Sequence, residues 1–450
     1  MTAISLSNDQ VAERIEAALA PLAIVSIEAE LPNEPSIGTL RRHRRTRFED
    51  EVGILTLLDI DGVLIWEDGA VTSTTSTIRR RRGGTASDGE VVTQLKYSKK
   101  LGLNEIGEKL ARLDNSLTPK GPARLIEYDM QTWAPKINDP PERNPQPVPT
   151  GRILLFVHGT FSNTGSMIYE LRGEDAAPFA GRKFLDKASG RYDQVLGFDH
   201  YTVSRTPVVN AIELTRMFAN TSAEIDIVCH SRGGLVTRWF CELLDRNPDR
   251  KRRVVFVGCP LQGTSLADPQ SLRHGLNLLT NIGKLLGETA KLVPFLTAAG
   301  GLMQILSSVG SFSANSPLID AGVAMIPGIA AMSRTSNNPE LAALNFGAPK
   351  AQSDYFAVSG NFQTDAVGWK FWRLFNKLKG ADLAADYLVF EQDNDLVVDT
   401  GSMTHQVFGE NPDLQDTTRF CTFDKNKQIH HTIYFRDPQT VEFLIQSFGL

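Results

Sequence analysis

A chain of 450 residues has room for two or three domains, since a domain takes ~100 to 200 residues. With 41% hydrophobic and 22% charged residues it matches ordinary globular proteins, which excludes collagen-like, wholly disordered and coiled-coil classes. Lysine and arginine number 47 against 52 acidic residues, a formal charge of −5, so no global basic field exists to hold nucleic acid or an anionic membrane, and no nucleic-acid partner is expected.

Cys229, Cys241, Cys259 and Cys421 are the only cysteines. None stands in a C-x-x-C spacing, which argues against a zinc site or a disulfide framework and fits a reducing compartment. The N-terminus carries acids early and lacks a basic segment followed by an apolar run, so it does not read as a secretory signal; a cytoplasmic location is the expectation.

In chain order, residues 8 to 19 place Val11, Ile15 and Leu19 four apart, the stripe of an amphipathic helix. Strands follow at 54 to 60 and 63 to 66, joined by Asp61-Gly62, where glycine accepts the positive φ of a hairpin turn. Asp59 and Asp61 also resemble the D-x-D-G element of phosphatases, but such enzymes need a downstream lysine and further acids, and the hairpin is the stronger reading. Arginine clusters at 41 to 47 and 79 to 82 suggest either a solvated charged face or a local anion site. From 134 to 150 six prolines favour a stiff, extended linker. The expected division is a β-rich N-terminal domain at 1–133, this linker, and a catalytic-type domain at 151–450.

After Gly151 short apolar runs alternate with helical stretches, the pattern of a mainly parallel sheet flanked by helices, an α/β fold. Candidate strands lie at 153–157, 194–198, 225–228, 254–257, 355–358 and 419–423, and candidate helices at 208–219, 233–245 and 439–448. The rhythm breaks at about 264–343, where Leu278, Ile282, Leu285 and Leu286 keep helical spacing and residues 292 to 319 carry no charge. A membrane span needs ~20 predominantly apolar residues, and Pro294, Gly300, Gly301, Gln304 and Asn315 fall short of that pattern. A helical cap insertion is the expectation.

The chemistry-bearing segment is IDIVCHSRGGLVTRWF, residues 225 to 240: an apolar strand, a turn holding Ser231, then glycines opening a helix. A serine on such an elbow exposes its hydroxyl, and small residues at Cys229 and Gly233 avoid clashes there. The alternative is an ordinary helix-capping serine. Upstream, RILLFVHGTFSNTG ends a strand in His158-Gly159-Thr160. In a parallel sheet ligands gather at the carboxyl ends of strands, so backbone N–H groups of Thr160 and Arg232 could together form an oxyanion hole.

These two segments, with GCPLQGTSLA at 258–267, resemble the α/β-hydrolase superfamily and within it the bacterial lipase and esterase group, over residues 151 to 450. Cys229 departs from the G-x-S-x-G pattern. The resemblance implies the chain order Ser, acid, His. YLVFEQDNDLVVDTGSM resembles the N-D-G-x-V-P acid loop and puts the acid at Asp395, with Leu396 in the place of glycine and Asp393 as second candidate. His431, in H-T-I-Y-F, matches the H-x-x-Y-F pattern of the base, with His430 as second candidate. His43, His274 and His405 have no such context; His200, in GFDHYTVSRTP, follows a strand and reads as a structural histidine or a lining residue of the pocket.

A Ser231–His431–Asp395 triad implies ester hydrolysis through an acyl-enzyme and requires no cofactor or metal. The expected substrate is a lipid or small-molecule carboxylic ester, with phospholipid and membrane-surface contact following if the arginine clusters meet head groups. Acyl transfer by the same triad, and an interaction module on a hydrolase-like scaffold with an Arg-rich N-terminal domain, are the alternatives.

Overall fold

The computed structural model describes residues 7–19, 52–60, 62–69, 75–77, 88–98, 103–118, 121–136, 146–174, 177–245, 247, 250–268, 272–285, 293–309, 324–334, 338–347, 353–362, 393–404, 417–426 and 429–450. The arginine clusters at 41–47 and 79–82, His43, His405 and residues 137–145 of the proline-rich stretch lie outside them. The chain forms two compact units: Met1–Leu113 with Leu272–Met325 and Val367–Tyr387, and Asp114–Ser271 with Ile326–Ala366 and Leu388–Leu450.

The first unit holds a four-stranded antiparallel sheet built from β1 (Val52–Ile60), β2 (Val63–Asp68), β3 (Thr75–Thr77) and β4 (Asp88–Ser98), in the order β2-β1-β4-β3. Ile60 stands opposite Val63, so β1 and β2 stay paired up to the turn that joins them. Gly62 takes φ 90° there and donates its N–H to Asp59 Oδ1 at 2.7 Å, as a D-G turn requires. Asp59 thus belongs to an antiparallel hairpin. The helix Asn8–Leu19 buries Val11 and Ile15 completely and packs on β4, the face its four-residue spacing marks.

Two helices from the long insertion, Leu272–Leu285 and Val293–Val309, belong to this same unit and pack on its sheet. Strand β2 is an edge, whose free backbone groups need partners when buried. Asn277 and Asn281, one helical turn apart, supply them: Asn281 accepts from Leu64 N at 2.8 Å and donates to Leu64 O at 2.7 Å, while Asn277 accepts from Trp66 N at 3.0 Å. Thr280 accepts from the buried Trp66 indole at 3.0 Å. These two helices, part of the segment read as a cap, therefore pack on the N-terminal sheet. Among the described residues no helix is long and apolar enough to cross a membrane.

The second unit is built on a seven-stranded sheet of β5 (Ala123–Glu127), β6 (Arg152–Val157), β9 (Gln194–His200), β10 (Glu224–His230), β11 (Arg252–Val257), β12 (Ser353–Ser359) and β13 (Phe420–Thr422); β7 (Gly173–Glu174) and β8 (Ala177–Pro178) form a separate small ribbon. The order β13-β12-β11-β10-β6-β9-β5 is parallel throughout except for β5, which runs antiparallel to β9 at one edge. Strand β5 lies within the stretch 1–133 that the sequence assigns to the N-terminal domain, yet it pairs from Ala123 opposite His200 to Glu127 opposite Leu196. Only Leu125 of its five residues is fully buried, a half-wet edge pattern too short to declare its sheet.

The central strands are apolar on both faces because helices cover both. Leu154, Phe156, Val228 and Val255 face the helices Thr164–Arg172, Arg182–Ser189 and Pro438–Phe448. Ile153, Leu155, Ile225, Ile227, Val254 and Phe256 alternate with them and face Pro207–Phe218 and Gly233–Arg238. The latter helix, expected to run unbroken to residue 245, continues as a π-helical turn from Trp239 to Leu244. Asp437 caps the last helix by accepting from Gln439 N and Thr440 N.

Candidate active site

Strand β10 runs between β6 and β11 and delivers the chain to Ser231. Ser231 adopts φ 53°, a left-handed conformation that costs a non-glycine residue ~1–2 kcal/mol. The strain is held by two bonds: Ser231 N donates to Val257 O at 3.0 Å, and Gly234 N donates to Ser231 O at 2.9 Å. Close approach of the β6 loop explains the neighbouring glycines. A Cβ on Gly233 would lie 2.4 Å from Val157 O, and one on Gly159 would lie 2.6 Å from Ser231 Cβ. Cys229 is accommodated because its buried thiol points toward Val255 O on β11, at 3.5 Å.

The acid loop winds around one carboxylate. Asp395 is completely buried; its Oδ1 accepts from Val397 N at 3.0 Å and Val398 N at 2.8 Å. Leu396, where the resembling pattern has glycine, takes φ 81°. Oδ2 accepts from His431 Nδ1 and from the Tyr434 hydroxyl, both at 2.7 Å, and His431 N donates to Asp395 O at 3.0 Å. Burial alone would raise the Asp395 carboxyl, but His431, Tyr434 and the Val398 N–H more than offset it and leave it below the usual range. A carboxylate accepting at Nδ1 places the imidazole proton there and leaves Nε2 with its lone pair.

The second candidates stand apart from this pairing. Asp393 is half-exposed, bound by Asn361 Nδ2 at 3.0 Å and paired with Lys425 at 3.2 Å. The His430 ring meets Thr432 Oγ1 at 3.1 Å and Phe362 edge-on, and burial pushes it down to about 4.

Two elements connect the pair to the elbow. His230, one residue before Ser231, donates from Nε2 to His431 O at 2.8 Å, its ring 4.8 Å from that of His431. Gly258, just past β11, lies against the same group: a Cβ there would come within 2.8 Å of the Tyr434 ring and 3.4 Å of His431 Nδ1. Ser231, Asp395 and His431 therefore share the carboxyl edge of the sheet, where parallel strands direct ligands.

On the other side of Ser231, His158 is buried, with Nδ1 donating to Gly159 O at 2.8 Å and Nε2 accepting from His200 N at 3.0 Å. Burial lowers its titration, so the ring stays neutral. His200 stacks on it at 4.1 Å and serves packing. Thr160 Oγ1 contacts Met332 Sδ at 3.2 Å, and Phe161, at φ 57°, donates its N–H to Thr202 Oγ1 at 3.3 Å. Thr202 is in turn held by Asp114, whose buried carboxylate accepts from the backbone N–H groups of Thr202, Val203 and Ser204 at 2.7, 3.0 and 2.7 Å. Arg232 is completely buried.

Sequence reasoning did not single out His230, Tyr434 or Asp114. Tyr434 was present in the H-x-x-Y-F pattern and His230 beside the nucleophile, so both carried a signal. Asp114 had none, because its partners lie 88 to 90 positions away. Among the described residues no cluster of His, Cys, Asp and Glu has the makings of a metal site.

Sheet and elbow define an α/β protein with a buried Asp–His pair beside a strained serine. The chain belongs to the family described as Domain of unknown function (DUF7379), whose model matches residues 120–449. No curated protein matches it. Among solved structures it is similar to the mature lipase BlEst2 of Bacillus licheniformis, with 14% identity, 68% of this chain and 94% of that chain covered, and a TM-score of 0.31. It is also similar to a gene product of Listeria innocua, with 12% identity, 67% and 94% covered, and a TM-score of 0.29.

Proposed function

We propose that this chain is a serine hydrolase of the α/β-hydrolase type that cleaves carboxylic esters. The observation that carries the reading is the 2.7 Å bond between Asp395 Oδ2 and His431 Nδ1 at the sheet edge where Ser231 is held at positive φ. His431 Nε2 takes the Ser231 proton as Oγ bonds to the ester carbonyl carbon, and the carbonyl π pair moves to oxygen. Backbone N–H groups of Thr160 and Arg232 receive that oxyanion. Collapse expels the alcohol, protonated by His431, and leaves an acyl-serine. Water then repeats the sequence, yielding the acid and free Ser231. Asp395, kept ionised by its donors, fixes the tautomer that makes Nε2 the base.

Lipid-type esters are the proposed substrates within this class. The support is the thioether of Met332 beside the oxyanion loop, its Sδ accepting from the Thr160 hydroxyl at 3.2 Å, together with the apolar, uncharged composition within 264–343. The test is reaction of the full chain with a fluorophosphonate probe, followed by mapping of the labelled residue, with a chain-length series of aryl esters compared by kcat/KM. Label on Ser231 and faster turnover of longer acyl groups are expected. Label elsewhere removes the hydrolase reading; a preference for acetyl esters removes only the lipid one.

A further inference from the structure

Arg232 follows Ser231 directly, and its side chain is fully buried. Nη2 donates to the carbonyl of Arg205, while Nε and Nη1 are buried with no hydrogen-bond partner. Among the described residues its guanidinium is in no ion pair. Two carboxylates act on it, both as charges at a distance and not as hydrogen-bonded partners: Asp114, whose oxygens bind the N–H groups of 202–204, and, more weakly, Glu340. Burial pulls the guanidinium down to about 10, so it stays cationic at neutral pH. A buried cation with two N–H-bearing nitrogens left unbonded costs stability, and an apolar side chain of similar length would pack there at lower cost.

What sets this charge apart is its location. Negative charge develops on the substrate oxygen when Ser231 attacks, and the donors toward it are the N–H of Arg232 itself and of Thr160. The loop that carries His158 and Thr160 meets the same elbow, since a Cβ on Gly159 would lie 2.6 Å from Ser231 Cβ, and the Arg232 charge contributes to lowering His158. A fixed charge in a water-excluded interior acts on a developing anion without reorganising.

We propose that the Arg232 side chain, and not only its backbone, serves the reaction: anchored on the Arg205 carbonyl and in no direct ion pair, it is a positioning residue that fixes the turn after Ser231 and holds a buried positive charge behind the oxyanion. This rests on the serine-hydrolase reading above. The substrate does not touch the guanidinium; the field and the rigidity of the turn transmit its effect.

The experiment compares Arg232→Met, Arg232→Lys and Glu340→Gln in the full chain. Its readouts are kcat and KM on an aryl ester, Kd for an aryl boronic acid, and Tm. The boronic acid forms a bond from Ser231 Oγ to boron, with the hydroxyl proton passing to His431, and so reports the anionic tetrahedral state. Arg232→Met is expected to lower kcat about 10- to 100-fold, equivalent to about 1.4–2.7 kcal/mol, with KM within about twofold, boronate affinity reduced by the same factor and Tm unchanged or raised. Arg232→Lys keeps the charge and should stay within about fivefold of the parent. Glu340→Gln removes an opposing charge and should tighten boronate binding about two- to fivefold. Parent-like kcat and boronate affinity in Arg232→Met overturn the proposal, as does an equal loss in Arg232→Lys. Should Arg232→Met fail to fold, Glu340→Gln decides, and unchanged or weakened boronate binding overturns it. These failures leave probe labelling of Ser231 intact, whereas loss of the hydrolase reading itself shows as an unlabelled parent chain.

Discussion

His230 Nε2 donates to the backbone carbonyl of His431 at 2.8 Å, so the residue before the elbow serine holds the residue that faces Asp395. Two loops 201 positions apart are thereby registered through one imidazole. Burial drives that ring down to about 3, which keeps it neutral and leaves its role to hydrogen bonding.

The Asp395–His431 bond should be the most sensitive point of the site. Asp395→Asn presents an amide where a carboxylate is needed and favours the wrong tautomer, so kcat should fall by ~10³- to 10⁴-fold with the fold retained. Asp393→Asn, on a half-exposed side chain, should change stability by no more than ~0.5 kcal/mol and leave kcat near that of the parent. Steady-state kinetics of the two variants side by side would expose an exchange of roles between these acids.

Tyr434→Phe removes one of the two donors on Asp395 Oδ2 and leaves the His431 bond in place. Losing a hydrogen bond to a buried charge costs ~1.5–3 kcal/mol, and the Asp395 carboxyl should rise. Urea unfolding at neutral pH measures the first effect; a shift of the acid limb of kcat/KM toward higher pH measures the second.

Ser231→Ala and Ser231→Gly both delete the hydroxyl, and both should abolish ester hydrolysis and probe labelling. They should differ in stability. At φ 53° alanine keeps the left-handed strain and glycine relieves it, so the glycine variant should be the more stable by ~1 kcal/mol. Equal melting temperatures would mean that the turn is not strained.

Acid should destabilise the fold from near neutrality downward. Burial holds His230 at about 3 and His430 at about 4, and pushes His158 and His200 in the same direction, whereas an unfolded histidine titrates near ~6.5. Below that value the unfolded chain binds more protons than the folded one. The stability is therefore complete above ~6.5 and is lost as pH falls toward the folded values, each histidine adding up to ~1.4 kcal/mol per pH unit. Unfolding free energies at pH 7, 6 and 5 check the slope, and His430→Asn should flatten it by about one proton.

In the N-terminal unit, Asn281→Ala would strand both Leu64 N and Leu64 O on the buried edge of β2. The expected cost is ~1–3 kcal/mol, read from urea unfolding of the full chain. A neutral result would mean that water reaches the edge.

Local pattern alone carried the parallel-sheet strands, the D-G hairpin and the turn at Ser231, because each rests on short-range physics: strands buried on both faces, glycine at positive φ, small residues where two backbones meet. The competition between Asp393 and Asp395, and between His430 and His431, lay beyond it. Those residues differ by one or two positions in the chain, and only the folded loop decides which carboxylate is buried against which ring. The same limit applied to the insertion. Its helical spacing was plain at Leu278 and Ile282, but the sheet this helix joins is set by Asn277 and Asn281 reaching a strand more than 200 positions earlier. Edge strand β5 was lost for the opposite reason, since a single fully buried residue in five leaves no period to read. Sequence determines what each segment can bury and which backbone angles it accepts; which segments meet is decided by the tertiary fold, where the free energy of burial and of hydrogen-bond satisfaction is shared between residues far apart in the chain.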